Sequence, residues 1–371
     1  MAEYSFNHQI GTTSMATQLL RVIPALRRSL LVILRVVTPL AFSLAALLPG
    51  AVHALDHTQL AVVVNTWDPL SMEIGTYYVA QRRIPPQNVI RIGFPPGKSN
   101  MTAKEFIALK AWVDEQTPPE VQAFALTWAA PYRVECMSIT AAFTFGFSPA
   151  FCAEGCNRTQ PSPYFNSPTR QPFAQLGIRP TMVIAATSFA KAKALIDRGV
   201  QSDSMFPRGT TYLLSTSDGA RNVRSPSFPL VEKILTGNRQ RVSTLQQDSL
   251  TDAKDVQFYF TGKQTVEGLE TLGFVPGAVA DHVTSFGGAL TAEGGQMSAL
   301  RWLEAGATGS YGTVVEPCNL PEKFPFVPVV TSRYLRGETL IEAYWKSVLM
   351  PGQGIFIGEP LAAPFRKRFA R

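Results

Sequence analysis

Only one histidine, His282, follows residue 57 in this sequence, and its position suggests acid–base chemistry. His282 lies in the segment ADHVTSFGG, and Cys318 follows in YGTVVEPCN. The other histidines lie at or before the expected start of the mature chain: His8, His53 and His57. A histidine beside a cysteine can hold the sulfur as a thiolate, the form that attacks a carbonyl carbon. His282 and Cys318 are therefore a candidate base and nucleophile, and a hydrogen-bonded turn residue is the alternative for His282.

Two carboxylates offer a rival mechanism. The segments TVVEP and FIGEP each end an apolar run in Glu-Pro, which suits the end of a strand. Glu316 and Glu359 could then act as acid and base in sugar cleavage, given a suitable separation. Two solvated strand ends are the alternative, since Glu is rarely buried unless it is paired. Asp281 is not expected to orient His282, because consecutive side chains on a strand point to opposite faces.

The cysteines bear directly on the first mechanism. All four follow residue 54: Cys136, Cys152, Cys156 and Cys318. In an exported chain an even count suggests disulfides. Cys152 and Cys156 are close enough to close a small loop and Cys136 could pair with Cys318, although all three pairings stay open. A bonded Cys318 could not act as a nucleophile.

Neither a metal nor a cofactor is indicated by the motifs. Cys152 and Cys156 lack the second ligand pair that a zinc site needs. Glycines 287, 288, 294 and 295 flank a helix predicted over 296–307 and could form a cradle of amides for an anion. They lack the Gly-Lys-Ser/Thr ending of a phosphate loop, so a flexible loop is the favoured interpretation.

Strand-like and helical segments alternate along most of the chain, from LAVVVN at 60–65 to GIFIG at 354–358. This alternation predicts an α/β fold, a three-layer sandwich with a mostly parallel central sheet. In such sheets ligands gather beyond the carboxyl ends of the strands, where His282 and Cys318 are expected on neighbouring strands. Residues 219–255 predict a solvated connection with a short helix. The helix predicted over 102–116 places four residues on one side: Phe106, Leu109, Trp112 and Val113.

Residues 131–178 interrupt this alternation with prolines and three of the cysteines. We expect a surface insertion pinned by a disulfide, and a binding lid is the alternative. An aromatic groove would favour a binding protein, and its candidate residues are Trp128, Tyr132, Phe143 and Phe147.

The first residues have the organisation of a secretory signal. Residues 21–54 contain a basic start, a long apolar run and the small residues of Val-His-Ala, which predicts cleavage after Ala54 and an exported protein in the periplasm or outside the cell. A retained membrane anchor is the alternative, and Met15 could equally open the chain. Residues 55–371 then form one α/β domain, without a further membrane span. No run of Lys or Arg is long enough to follow a nucleic acid backbone, so nucleic acid is not an expected partner.

Residues 256–365 resemble the catalytic region of caspase- and gingipain-like cysteine peptidases. In that fold a strand ends in the catalytic histidine, a helix crosses over and the next strand ends in the nucleophilic cysteine, and IFIGEPLAAPF is similar to a Gly-Asp-Pro segment near the end of the gingipain type. The resemblance implies a caspase-like C-terminal third with His282 as base and Cys318 as nucleophile. The family has glycine after its histidine, whereas this chain has Val283.

The whole mature chain is similar to a family of exported bacterial proteins found in genomes that carry exosortase. The similarity rests on VVVNTWDPLSMEIGTYYVAQRRIPPQNVI, YGTVVEPCN, TLIEAYWKSV and GEPLAAPF. It implies a setting in the cell envelope and no catalytic residue. Two hypotheses follow: a caspase-like hydrolase, active or decayed, or a non-catalytic envelope protein that binds a polysaccharide or a partner protein.

Overall fold

Short apolar runs become the strands of one large sheet. The computed structural model describes residues 54–153, 156–292 and 295–367. The first strand, LAVVVN, is buried along its whole length, as expected for a strand covered on both faces. The strands are β1 (Leu60–Asn65), β2 (Val89–Ile92), β3 (Asn100–Met101), β4 (Ala123–Leu126), β5 (Arg133–Val134), β6 (Met137–Ser138), β7 (Thr181–Val183), β8 (Thr210–Ser215), β9 (Arg241–Gln246), β10 (Val256–Gly262), β11 (Phe274–Val283), β12 (Gly309–Thr313) and β13 (Gly354–Gly358).

Ten strands form the central sheet, in the order β2-β1-β4-β7-β13-β12-β11-β10-β8-β9. All of its pairings are parallel except that of β12 with β13. The short strands β3, β5 and β6 make a separate small sheet. The prediction of an α/β fold with a mostly parallel central sheet is confirmed, and β2 and β9 are the two edges of that sheet.

Helices cover both faces of the sheet. They are α1 (Pro69–Arg82), α2 (Ala103–Gln116), α3 (Ile139–Phe145), α4 (Pro172–Leu176), α5 (Phe189–Ser202), α6 (Phe228–Gly237), α7 (Leu300–Ala305), α8 (Val327–Leu335) and α9 (Leu340–Trp345). Asp281 and His282 are consecutive on β11 and bond to Tyr344 of α9 and Trp302 of α7 respectively. Because neighbouring strand residues point to opposite faces, α7 and α9 lie on opposite sides of the sheet, which gives three layers.

Local sequence signals begin the two helices that flank edge strand β2. Asp68 caps α1 by accepting from the amide of Leu70, and Pro69 occupies the first turn, where no amide hydrogen is needed. Thr102 and Glu105 form a reciprocal capping box at the start of α2. Both helices therefore begin close to the carboxyl ends of the strands that precede them.

One residue of α2 departs from its predicted side. Phe106 and Val113 are fully buried and Leu109 is partly buried, as expected for the apolar face. Trp112, however, is 51% exposed. An indole at the border of a helix's apolar stripe can turn either way, and the sequence pattern does not settle which.

The segment 131–178 is only partly a surface insertion. Helix α3 within it is buried over most of its length, and Phe143 packs edge-on against Phe106 and Phe124. Tyr164 is also buried. The expectation of a surface loop fails for this part, because proline and cysteine content reports turns and cross-links but not depth.

The predicted signal segment lies outside the described residues, apart from Ala54. Within the three described stretches, no helix combines the length and apolar character needed to cross a bilayer. The described stretches fall into a single compact unit of the chain.

Candidate functional site

His282 is held in place from both ring nitrogens. The indole Nε1 of Trp302 donates to Nδ1 at 2.9 Å, so Nε2 carries the ring hydrogen and donates to the carbonyl of Met297 at 3.2 Å. Burial, with a smaller contribution from the charge of Arg224, lowers the pKa of His282 to about 3. The ring is therefore neutral near pH 7, and neither nitrogen is free to take a proton from a nucleophile.

Asp281 points to the opposite face, as expected from strand alternation. Its carboxylate accepts from Arg224 Nη1 at 2.5 Å and from the Tyr344 hydroxyl at 3.1 Å. Burial raises the pKa of Asp281, and the charge of Arg224 acts against that rise. Asp281 therefore stabilises the layer of α9 and does not orient His282.

Cys318 has no free thiol. The structure pairs Cys156 with Cys318 and Cys136 with Cys152. Of the three pairings left open, the one named as possible from the sequence, Cys152 with Cys156 and Cys136 with Cys318, is therefore not the one that forms. Proximity along the chain suggested the small loop, whereas the fold brings residue 156 against the loop after β12. Strands β11 and β12 are parallel neighbours, as expected. The sulfur of Cys318 is nevertheless bonded to Cys156, so Cys318 and His282 do not form a catalytic pair.

The carboxylate pair fails for a topological reason. Because β13 runs antiparallel to β12, with Gly309 opposite Gly358, Glu359 lies beyond the amino end of β12 while Glu316 follows its carboxyl end. Roughly 13 Å of strand separates the two ends, more than a carboxylate pair can span in glycoside hydrolysis. Glu359 is fully buried.

The partners of Glu359 mark a structural role. It accepts from the Tyr78 hydroxyl at 2.7 Å and from Arg82 Nε at 2.9 Å, and it forms an ion pair with that guanidinium. Arg82 also pairs with Asp203. These bonds join α1 to the carboxyl end of β13 and to the end of α5. Glu316 lies at the other end of these central strands.

The glycines after β11 serve close packing. A Cβ on Gly312 would come within 2.3 Å of the carbonyl carbon of Gly287, and one on Gly288 within 2.8 Å of Thr313. The loop at Gly287 and Gly288 therefore packs directly on β12. At these two residues it is neither an amide cradle for an anion nor a flexible loop. Gly294 lies outside the described residues.

The aromatic groove predicted from the insertion does not form. Three of its four residues, Trp128, Tyr132 and Phe143, are buried in the core. The fourth, Phe147, is partly buried and packs against the same core.

A different aromatic cleft lies beside edge strand β2, and we name it the β2 cleft. It has a volume of about 670 Å³ and is lined by Thr66, Trp67, Arg91, Ile92, Gly93, Phe94, Pro95, Lys98, Asn100, Met101, Glu105, Leu109, Trp112 and Pro131. Trp67 is 61% exposed, and its indole lies against the backbone of Gly93, where a Cβ would come within 2.6 Å of Nε1. Solvent-exposed indoles lining one cleft are typical of a binding surface.

A smaller depression lies beside the same strand, and we name it the α1 depression. Its volume is about 330 Å³, and it is lined by Val64, Thr66, Met72, Gly75, Thr76, Val79, Pro86, Val89 and Arg91. Thr66 and Arg91 belong to both sites. Helix α2 forms one wall of the β2 cleft, and helix α1 forms one wall of the α1 depression. Both sites therefore lie beside β2, each against a different helix.

The backbone of Arg91 is directed outward between the two sites. The amide of Thr66 donates to the carbonyl of Ile92, so Ile92 faces β1. The backbone groups of successive strand residues point in alternate directions, so those of Arg91 face away from β1. No other described strand pairs with that side of β2. Arg91 therefore offers its N–H and its C=O to an incoming chain.

The charge at the β2 cleft is mainly basic. Arg91 and Lys98 are exposed. The one carboxylate in the lining, Glu105, is occupied by the capping box, and its hydrogen bonds with the side chain and amide of Thr102 lower the pKa of Glu105. Two cations against one carboxylate leave the lining with a net positive charge, which favours acidic groups. The strand-end rule could have identified Trp67 from the sequence, since it follows β1 by two residues.

Together these features define an α/β protein with a mostly parallel sheet. His282 and Cys318 are engaged within the protein, and edge strand β2 is open. No family model and no curated protein matches the chain. Among solved structures it is similar to the crystal structure of the Arg-specific cysteine proteinase gingipain R, with a TM-score of 0.45, 9% identity, and coverage of 84% of this chain and 79% of that one. It is also similar to a Porphyromonas gingivalis complex of RgpB pro- and mature domains, with a TM-score of 0.40, 9% identity, and coverage of 82% and 79%.

Proposed function

We propose that this chain is an exported, non-catalytic protein that holds an extended, acidic segment of a partner protein against edge strand β2. Export is supported by the signal-like order of residues 21–54 and by the two disulfides. A non-catalytic role is supported by the engaged ring of His282 and the bonded sulfur of Cys318.

The outward N–H and C=O of Arg91, placed where two apolar sites meet, carry the proposal. An added strand would bond to these groups, and its side chains would alternate between the two faces of the sheet. The β2 cleft and the α1 depression supply a receiving site for each set. A polysaccharide would need only the cleft with its indoles and would make no use of the strand edge.

The exposed charges favour an acidic segment. Arg91 and Lys98 line the β2 cleft against a single carboxylate, that of Glu105, so the lining has a net positive charge. Opposite charge across an interface raises the association rate and disfavours basic competitors.

The test uses an acidic peptide probe of about ten residues, alternating leucine with glutamate, which suffices to cover a short edge strand. Binding is measured by the fluorescence of the two exposed tryptophans, and a micromolar Kd is expected for such a surface. Arg91→Pro removes the outward N–H and should raise the Kd at least about tenfold, because a ladder bond is lost and the ring blocks close approach.

Arg91→Ala is the matched control. It keeps the N–H and removes only the side chain, so we expect a smaller rise, about threefold, from the lost charge. Equal effects of the two substitutions would contradict strand addition. Binding of a polysaccharide by wild type and Arg91→Pro alike, with no peptide bound by either, would replace the partner segment with a glycan.

A further inference from the structure

The described chain begins with a contact that ties its start to the core. The amide of Leu55 donates to Glu342 Oε2 at 3.2 Å, and its carbonyl accepts from Arg366 Nη2 at 2.7 Å. Leu55 is 1% exposed and belongs to the main hydrophobic core, and Ala54 before it is 4% exposed. The backbone at this point is therefore held in one position.

Glu342 is a buried carboxylate with unused bonding capacity. It is fully buried, and its Oε2 also accepts from the amide and hydroxyl of Thr339 at 2.9 and 2.7 Å. Its other oxygen, Oε1, has no hydrogen-bond partner among the described residues. A buried carboxylate oxygen without a donor costs free energy, and burial correspondingly raises the pKa of Glu342.

No cation in the described part of the chain forms an ion pair with Glu342. Lys346, one turn away, bonds to Glu338 at 2.9 Å, and Arg333 pairs with the same carboxylate at 3.2 Å. Arg366 bonds through Nη2 to the carbonyl of Leu55, and its charge acts on Glu342 without a hydrogen bond between the two side chains. Lys346 and Arg366 are therefore near Glu342, but among the described residues no cationic donor forms a hydrogen bond with either of its carboxylate oxygens.

We propose that removal of residues 1–54 supplies such a donor: the new α-ammonium of Leu55 forms a buried ion pair with Glu342. Hydrolysis of the Ala54–Leu55 bond by a signal peptidase consumes one water, leaves a carboxylate on Ala54 and leaves an amine on Leu55 that takes up a proton. One amide hydrogen becomes three ammonium hydrogens at a position already 3.2 Å from Oε2. This inference does not depend on the β2 edge.

The burial of the cleavage point sets the order of processing and folding. Ala54 and Leu55 are both buried in the fold, so a peptidase reaches their bond only before this part of the chain closes. Processing then comes first, and the ammonium docks as α9 packs.

The first test is the amino terminus of the full chain, expressed with its own leader in an exporting bacterium. Sequencing of the exported product should give Leu55 as the first residue. A terminus at any other residue would overturn the proposal, because the ammonium would then lie away from Glu342.

The second test compares thermal unfolding of chains that start at Leu55, start at Ala54, or start at an acetylated Leu55. Displacing or removing the ammonium should lower the unfolding midpoint by roughly 4 °C or more, since breaking a buried ion pair leaves a charge uncompensated. In a Glu342→Gln background the three chains should unfold together, whereas Glu316→Gln, at an exposed carboxylate, should preserve the difference. Equal midpoints in the wild-type background would overturn the inference, and this comparison does not require the Glu342 variant to fold.

Discussion

Polar groups are bonded within the protein at the carboxyl ends of β11 and β12, where His282 and Cys318 lie, and are open to solvent at edge strand β2. We call the first region the central rim. At the rim, both nitrogens of His282 and the sulfur of Cys318 are bonded within the protein. At β2, the backbone of Arg91 and the indoles of Trp67 and Trp112 face solvent. Groups that satisfy each other stabilise the fold, and groups left open are available to a partner. The contrast therefore supports a structural role for the rim and the proposed binding role for the edge.

The second edge of the sheet sharpens this contrast. Strand β9 contains only exposed and half-buried residues, and Arg241 pairs with Asp255 while Thr244 bonds to Glu232. A polar strand with charged side chains of this kind resists pairing with another chain. An open edge alone does not define a binding surface, and the exposed indoles distinguish β2 from β9.

The largest expected effect lies at the rim. His282→Leu leaves the Trp302 N–H and the Met297 carbonyl unpaired in the core, so the free energy of unfolding should fall by about 2 to 4 kcal/mol. Urea denaturation measures this, and the exposed His57→Leu serves as control. Peptide binding at β2 should be unchanged, and a parallel loss of binding in the folded variant would break the division between rim and edge.

Acid should destabilise the chain through the same residue. The pKa of His282 falls from about 6.5 in the unfolded chain to about 3 in the fold, so the stabilising contribution is present above the unfolded value and is lost as the pH falls towards 3. Between pH 7 and pH 5 the loss should be about 2 kcal/mol. Comparing wild type with His282→Leu by urea denaturation at each pH isolates this contribution from that of Asp281, whose raised pKa acts in the opposite direction. An equal acid loss in both chains would refute it.

At the edge, the indoles should contribute to binding and not to stability. Trp67→Ser or Trp112→Ser should each raise the Kd of the acidic peptide about tenfold, or 1.4 kcal/mol, because each removes an exposed aromatic contact. Thr244→Pro on β9 is the matched control and should leave the Kd unchanged. A loss of peptide binding in that control would place the site at the wrong edge.

Charge should matter less than the aromatic contacts. Arg91→Gln or Lys98→Gln should raise the Kd about threefold at low salt, and the difference should vanish near 1 M salt, where screening acts over about 3 Å. Arg239→Gln, an exposed cation near β9, should have no effect at either salt concentration. A salt-independent loss in the β2 variants would point to packing and not to charge.

The smallest expected effect is zero. Reduction frees Cys318, but the ring of His282 remains occupied by Trp302 and Met297. The reduced chain should therefore cleave peptide substrates no faster than a Cys318→Ala variant in a fluorogenic assay. Cleavage that depends on Cys318 would restore the hydrolase hypothesis and overturn the proposed non-catalytic role.

Local pattern was enough to predict most elements of this fold. Apolar runs and amphipathic segments identified β1 and β13, and the neighbouring parallel placement of β11 and β12 followed from one crossover. The short helix expected within residues 219–255 is α6, but the polar composition of that segment hid β9, because an edge strand needs no apolar face. Alternation along β11 correctly separated Asp281 from His282, since that follows from strand geometry alone.

The sequence by itself determined the α/β class, the alternation along each strand and the types of residue available for chemistry, because these depend on local periodicity. Only the tertiary structure decided which cysteines pair, that β13 runs against β12 and so parts Glu316 from Glu359, and that Trp112 faces solvent. These outcomes depend on contacts between residues far apart in the chain, and local pattern carries no information about them.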